Sequence, residues 1–411
     1  MARGEVGSTS LRLAMLASLF LATARADAPL PSKDFPRGTA TSSAECGACH
    51  RAIYREYAEG FGSDLHSPGA AAPARGGKVA LATPSRPSAH AVAGTDPWPA
   101  HARDAEEAGR RCDVCHFPMP FAIPDSTDAE IALPSARQDG QSEGVTCAAC
   151  HLTPGGVIRG PHAVAAPHAT IADERMSSSE MCAPCHALGA RVPGQQTQTY
   201  LEWRDDFFAP GLGRQECQDC HMPRTMRKTT EDADVPVRAV ARHLWTGGHS
   251  PRRVRSALAM ALVQPQQGRP RLEVHVMNVG AGHSVPTGSS RRAVHLAARL
   301  LDARRQQVAT ATWMFAPWYG ARPDDRAHLA ADEWRPDRVA ALQADRQGPH
   351  EAPLRAGEER VLTWEPEVRE GRYTLEATLV YDLNRYDERP SKGDLHEIGR
   401  STLGLEVKAS R

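Results

Sequence analysis

The sequence predicts a multidomain protein, in which a mainly α-helical and irregular N-terminal module is followed by an all-β sandwich. All ten cysteines of the 411-residue chain lie in its first 220 residues. Seven short runs rich in Val, Leu and Thr follow residue 256. Aromatic residues make up only 5% of the chain, which is few for an ordinary core of this size. We therefore expect one domain at residues 35–250 and a second at residues 255–411.

The N-terminus has the features of an export signal. Arg3 and Arg12 precede an apolar run from Leu13 to Thr23, and Ala24-Arg25-Ala26 provides a small-residue cleavage site. The alternative is an uncleaved anchor, but the run is short for a membrane span. Residues 1–26 are thus predicted to be a cleaved signal peptide, giving a periplasmic or secreted protein with no transmembrane segment in the mature chain. The net charge of zero does not indicate nucleic-acid binding.

Five copies of the pattern C-x-x-C-H organise the N-terminal module. The last four copies begin 35 residues apart. This pentad is typical of c-type haem attachment, in which two thiols add to the vinyl groups and the histidine becomes the proximal iron ligand. The predicted attachment cysteines are Cys46, Cys49, Cys112, Cys115, Cys147, Cys150, Cys182, Cys185, Cys217 and Cys220. The predicted proximal ligands are His50, His116, His151, His186 and His221.

The sequence therefore predicts five covalently attached haem c groups and their iron. Disulfides and zinc sites are the alternatives, since both also use paired cysteines. Neither alternative explains why a histidine follows every second cysteine.

Each proximal histidine leaves a sixth iron position, which a distal histidine would close. The candidate distal ligands are His66, His162, His168, His243, His249 and His283. His90 and His101 are weaker candidates, and solvated loop histidines are the alternative for all of these. The remaining non-motif histidines are predicted to be strand or surface residues: His275, His295, His328, His350 and His396.

Helices are predicted around the motifs. One starts near Glu45 and continues to about Gly60, a second runs from His101 to Arg111, and a third covers Thr197 to Phe208. The Phe117–Pro120 segment should end the helix of the second motif.

Alternation of apolar and polar residues predicts strands in the second domain, as in Leu272-Glu273-Val274-His275-Val276. The predicted strands are Leu258–Val263, Arg271–Val279, Ala293–Leu301, Val308–Phe315, Arg360–Trp364, Tyr373–Tyr381 and Leu403–Val407. Seven such strands favour an antiparallel, immunoglobulin-like sandwich, with a long polar insert at Pro317–Pro353. This domain shows no catalytic constellation, and we expect it to cap one haem through His283.

Four stretches between Glu45 and Gly288 resemble the multihaem cytochrome c family that includes cytochrome c554, and more loosely the haem domains of hydroxylamine oxidoreductases. They are Cys46–His66, Glu143–His168, Gln198–Trp203 leading into Cys217–Pro223, and Asn278–Gly288 with its Gly-His-x-x-Pro-Thr-Gly segment. Ser63 and His66 are one residue further apart than is usual in this family. The resemblance implies a mainly helical multihaem module.

Two main functions follow from these features. The first is a carrier that moves electrons between periplasmic or membrane-bound redox proteins. The alternative is a multihaem oxidoreductase that acts on a small nitrogen or sulfur compound at one open-coordinate haem. No motif histidine is replaced by lysine and no tyrosine is clearly placed to cross-link a haem, which favours the carrier. A structural or filament-forming cytochrome is a third and weaker hypothesis. The donor, the acceptor and the oligomeric state are not determined by the sequence.

Overall fold

The computed structural model describes residues 42–59, 113–137, 145–187, 198–288, 292–317 and 350–409, apart from residues 163, 232–233, 249, 384 and 386–394. Several predictions lie outside these residues. They concern the signal peptide, the 101–111 helix, most of the 317–353 insert, Cys112, and the ligand candidates His66, His90, His101 and His249.

Short helices carry the described cysteine motifs. The described α-helices are Ser43–Gly47, Arg51–Glu59, Asp113–His116, Cys147–His151, Ala183–His186, Thr199–Trp203, Cys217–His221 and Pro251–Ala257. The 3-10 turns Glu174–Ser177 and Ser179–Met181 precede the fourth motif. The helix predicted from Glu45 to Gly60 is two helices, separated by a turn at 48–50. His50 still donates its backbone N–H to the Cys46 carbonyl at 2.9 Å, so the turn interrupts the helix without unwinding it.

The helix predicted over Thr197–Phe208 changes type along its length. Thr199–Trp203 is α-helical, whereas Arg204–Phe208 is a π-helix, closed by a 2.9 Å bond from Ala209 N–H to the Arg204 carbonyl. The wider turn brings Phe208 into a stacked contact with Trp203, with ring centroids 4.7 Å apart. Single π turns are rare in proteins, and those that occur often lie at functional sites.

Two small ladders that the sequence did not predict complete the described N-terminal part. Strands β1 (Ile158–Gly160) and β2 (Thr170–Ala172) pair in parallel. Strands β3 (Arg224–Arg227) and β4 (Arg238–Ala241) form an antiparallel hairpin just before His243. Strands of three or four residues give too little alternation to be recognised in a sequence.

Two sheets face each other in the C-terminal part. Every one of the seven predicted runs forms a strand, and a short parallel strand, β9, adds to them. The strands are β5 (Leu258–Val263), β6 (Leu272–Asn278), β7 (Ala293–Leu301), β8 (Gln307–Phe315), β9 (His350–Glu351), β10 (Glu359–Trp364), β11 (Gly371–Asp382) and β12 (Leu395–Val407). Their order is β10-β6-β5 in one sheet and β12-β11-β7-β8-β9 in the other.

Inward-facing residues of both sheets share one core. Leu272, Val274 and Val276 alternate along β6 with no exposed surface, and they pack in the same cluster as Leu296 and Leu375 of the other sheet. Burying an aliphatic side chain of this size contributes about 1.5–3 kcal/mol, so this core dominates the stability of the sandwich.

The junction between the two parts contains no loop. The helix Pro251–Ala257 runs directly into β5, and its Val254 is 4% exposed within the sandwich core. Gly280 packs on this junction, because a Cβ there would lie 1.9 Å from the carbonyl oxygen of Ser256. Across the described part of the chain, no helix is long and apolar enough to span a membrane.

Candidate haem sites

Three motif histidines each face a second histidine from a distant part of the chain. The ring centroids of His50 and His168 are 6.5 Å apart. Those of His151 and His243 are 6.0 Å apart. Those of His221 and His283 are 6.1 Å apart, with ring planes only 19° from parallel.

These separations fit two imidazoles on opposite sides of one iron atom. A metal–nitrogen bond is about 2.0 Å long, and the ring centroid lies about 1.1 Å behind the ligating nitrogen, so two trans ligands place their centroids about 6.2 Å apart. Direct ring stacking brings centroids closer, as the 4.7 Å between Trp203 and Phe208 shows. The three pairs therefore leave the space that a bis-histidine iron needs.

Backbone carbonyls fix the tautomer of the proximal histidines. His50 Nδ1–H donates to the Thr229 carbonyl at 2.9 Å, and His221 Nδ1–H donates to that of Thr246 at 2.6 Å. His151 Nδ1–H donates to the Arg159 carbonyl at 3.0 Å. A carbonyl only accepts, so each Nδ1 carries the proton and each Nε2 keeps its lone pair. Such hydrogen bonds orient metal-ligating histidines.

Two of the distal histidines are held in the same way. His243 Nδ1–H donates to the Ala241 carbonyl at 3.1 Å, and His283 Nδ1–H donates to that of Ser284 at 2.9 Å. Nε2 is thus the free nitrogen on both sides of the His151–His243 and His221–His283 pairs.

Burial keeps the imidazoles of His151, His168, His221 and His243 in the neutral form that binds metal. Burial, together with the neighbouring His283, lowers the pKa of His221 to about 4. Burial and the neighbouring His151 lower the pKa of His243 to about 3. Burial also lowers the pKa of His151 and of His168. These four rings are therefore uncharged at neutral pH.

Three of the six candidate distal histidines belong to these pairs. His168 faces the first motif, His243 the third and His283 the fifth. His162 is exposed beyond β1 and belongs to none of these pairs. His186 is exposed, and no histidine ring of the described residues faces it as His168 faces His50. The side chain of His116 lies outside the described residues.

The cysteines of different motifs lie side by side. Cys115 lies beside Cys185 of the fourth motif, and Cys182 lies beside Cys217 of the fifth. No disulfide joins any two of the nine described cysteines. Burial raises the pKa of the Cys150 thiol to about 11.

The geometry of the described residues differs from that of a zinc site. Among them, no group of three or more His, Cys, Asp or Glu side chains is arranged to hold a metal ion. Haem iron needs only two protein ligands, because the porphyrin supplies the other four. The paired histidines therefore fit haem iron better than zinc.

Two buried serines join the motifs, and the sequence analysis missed both. Ser43 stands three residues before Cys46, and its Oγ accepts the backbone N–H of Cys147 at 3.2 Å. Ser179 stands three residues before Cys182, and its Oγ accepts the N–H of Cys217 at 2.9 Å. Both serines have no exposed surface. The same device thus packs the first motif against the third and the fourth against the fifth. The feature of the sequence that could have revealed them is a serine three residues before the first cysteine of a motif.

Side-chain hydrogen bonds hold the His283 loop to the N-terminal part. Glu202 Oε2 accepts the Thr287 hydroxyl at 2.6 Å and the Ser284 N–H at 3.3 Å. The Thr287 hydroxyl in turn lies 2.9 Å from that of Thr199. Burial raises the pKa of Glu202, although the Thr287 hydrogen bond and the nearby His283 act in the opposite direction.

The loop is also braced from the side of the sandwich. The Asn278 amide, 1% exposed, donates to the carbonyls of His283 and Leu354 at 2.9 and 3.2 Å. Gly282 packs on the ring of Phe207, where a Cβ would approach ring carbons to 3.0 Å. These contacts hold the Gly-His-x-x-Pro-Thr-Gly loop and the Thr199–Trp203 helix together around His283.

Comparisons with known proteins support the fold. No protein-family model matches the chain, and no curated protein sequence matches it. A penta-heme cytochrome c552 from Thermochromatium tepidum is similar in structure, with a TM-score of 0.54 and 17% identity. The match covers 91% of this chain and 100% of that one. The residues outside the match are too few to make up either the N-terminal or the C-terminal part, so the match includes both. A putative beta-galactosidase from Bacteroides fragilis matches over 39% of this chain and 17% of the beta-galactosidase chain, with 13% identity and a TM-score of 0.16. A TM-score this low is no evidence of a common fold.

Proposed function

We propose that the protein is a multihaem c-type cytochrome that transfers electrons between redox partners through five covalently attached haems. The observation that carries this proposal is the set of three histidine pairs, His50–His168, His151–His243 and His221–His283, with ring centroids 6.0 to 6.5 Å apart. Each pair begins at the histidine of a C-x-x-C-H motif. When bound, haem iron would supply one-electron oxidation and reduction.

The role of the chain at these pairs is to hold two neutral imidazoles rigidly. Backbone carbonyls fix five of the six rings through Nδ1, so each ring presents Nε2. When haem is bound, the two histidines of a pair would both hold its iron, which would suit electron transfer and disfavour binding of a small substrate. The three pairs therefore support a carrier.

Neighbouring motifs lie close enough to support exchange between the groups they would hold. The thiols of the second and fourth motifs are in contact, as are those of the fourth and fifth. The first and third motifs share the Ser43 hydrogen bond to Cys147. The similar fold of a penta-heme cytochrome c552 agrees with five such sites.

The location and partners belong to the same proposal. The predicted signal peptide supports export, and covalent haem attachment normally takes place outside the bacterial cytoplasm. We propose a periplasmic or secreted protein whose partners are other redox proteins, either periplasmic or membrane-bound.

A multihaem oxidoreductase acting on a small nitrogen or sulfur compound is the second candidate. It needs one haem with an open sixth position, and the second or fourth motif would provide it, because the three histidine pairs use the other motifs. The observation that favours this candidate is that no described histidine ring faces His186 of the fourth motif.

A combined spin-state and redox measurement distinguishes the two functions. The purified protein, made in an organism competent in cytochrome c maturation, would be examined by electron paramagnetic resonance and by potentiometric titration. We expect five low-spin ferric haems and reversible uptake of five electrons. A high-spin haem that changes its signal on addition of hydroxylamine or sulfite would instead establish the oxidoreductase.

A further inference from the structure

Glu56 is a buried carboxylate that is not part of any cysteine motif. It lies in the Arg51–Glu59 helix, six residues after His50, and is 8% exposed. Its carboxylate accepts four hydrogen bonds. Arg227 contacts both oxygens at 2.8 Å, Arg242 Nε donates at 3.0 Å, and the backbone N–H of His243 donates at 3.0 Å.

The partners of Glu56 surround one ligand of a different haem site. Arg227 ends β3, while Arg242 and His243 directly follow β4. One carboxylate on the helix behind the first motif therefore holds both ends of the hairpin that carries His243, the histidine facing His151 of the third motif.

Charge makes this contact strong. The bidentate pair with Arg227 is the geometry in which a guanidinium and a carboxylate bind best. Burial alone would raise the pKa of Glu56, but the hydrogen bonds from Arg227, His243 and Arg242 outweigh it and hold the pKa below its ordinary value. The two arginines are 16% and 18% exposed, so loss of the carboxylate would leave two largely buried cations without their counter-ion and one N–H without its acceptor.

The same helix also contacts the imidazole of His243 through an aromatic bridge. Tyr57, next to Glu56 and 4% exposed, meets Trp245 edge-on at 6.0 Å. Trp245 meets the His243 ring edge-on at 5.4 Å. Trp245 has a φ of 44°, which a bulky residue adopts only when its surroundings impose it. Backbone and ring of His243 are thus fixed from one helix.

We propose that Glu56 is the positioning residue of His243, and that it couples the helix of the first haem motif to the axial geometry of the third haem. This inference rests on the proposed function, since it concerns a ligand of a haem. The orientation of an axial imidazole affects the low-spin signal and the potential of its iron.

The test compares Glu56→Gln and Glu56→Asp with a matched control. The glutamine variant would keep the size of the side chain but lose its charge, and the aspartate variant would keep the charge but retract it from the hairpin. Glu231→Gln is the control, because Glu231 binds Arg51 of the same helix at 3.4 Å but is 61% exposed. His243→Met identifies the signal of the third haem. Electron paramagnetic resonance spectra and potentiometric titrations would be recorded for the wild type and for each variant, all with haem bound.

We expect Glu56→Gln to shift the low-spin signal and potential of one haem in five, the same haem that His243→Met changes, while Glu231→Gln matches the wild type. A folded Glu56→Gln protein with five haems and wild-type signals would overturn the inference. If Glu56→Gln fails to mature, Glu56→Asp decides in the same way, by a shift of that haem or by wild-type signals. A wild-type protein without covalent haem would refute the proposed function itself, and it is recognised before any variant is compared.

Discussion

Replacement of His283 by alanine tests the link between the sandwich and the fifth haem motif. The substitution removes the ring that faces His221 at 6.1 Å and leaves the loop in place. The side chain gives up one described hydrogen bond, from Nδ1 to the Ser284 carbonyl, which is worth about 1 kcal/mol. The braces from Asn278 and Glu202 use other atoms of the loop, so the protein should fold and mature.

The expected effect is spectroscopic rather than structural. One iron of the five loses its sixth ligand, so about one fifth of the haem should become high-spin while the rest is unchanged. Electron paramagnetic resonance at low temperature measures this fraction. His275→Ala is the control, because His275 lies on the preceding strand β6 and points to Glu359 at 2.7 Å. His283→Ala with five haems and no new high-spin signal would refute the assignment.

Three further predictions follow from the same contacts. Gly280→Ala should lower the free energy of unfolding by several kcal/mol, as measured by chemical denaturation, because its Cβ would overlap the backbone oxygen of Ser256 at 1.9 Å. Gly399→Ala is the control and should not lower it, because a Cβ at Gly399 meets nothing within 4 Å. Equal stability of the two variants would contradict this prediction. Ser179→Ala should cost about 1–3 kcal/mol by leaving the Cys217 N–H unpaired, and an unchanged denaturation midpoint would contradict the packing of the fourth motif on the fifth. The pKa of Glu56 is lowered in the folded protein, so the stabilisation that its carboxylate provides should be complete above its ordinary pKa of 4.5 and should be lost as the pH falls through the lower folded value. The difference in unfolding free energy between wild type and Glu56→Gln should therefore shrink in acid. A difference that does not change with pH would contradict this prediction.

The local parts of the proposed haem sites follow from the sequence, because covalent attachment requires a fixed spacing. Two thiols and a histidine must lie within five residues, and Cys217–His221 forms the single helical turn that this spacing demands. The strands were predictable for a similar reason, since burial on one face of β6 imposes alternation within a few residues.

The pairing of ligands could not be predicted, because it depends on tertiary contacts. His168 follows the third motif by 17 residues, yet it faces His50 of the first motif. Nothing near His168 in the chain specifies that choice, which is set by the packing of the Cys147–His151 helix on Ser43. Glu56 and Ser179 were missed for the same reason: each acts on a residue from another motif, and only the fold brings the two together.

The central claim is that five C-x-x-C-H motifs bind haem covalently, and the intact mass of the purified protein tests it most directly. The account predicts a mass that exceeds that of the processed polypeptide by five haems, with one haem on the peptide of each motif and with haem staining that persists through denaturing electrophoresis. An unmodified mass, or a colourless protein containing zinc or disulfides at these cysteines, would contradict it.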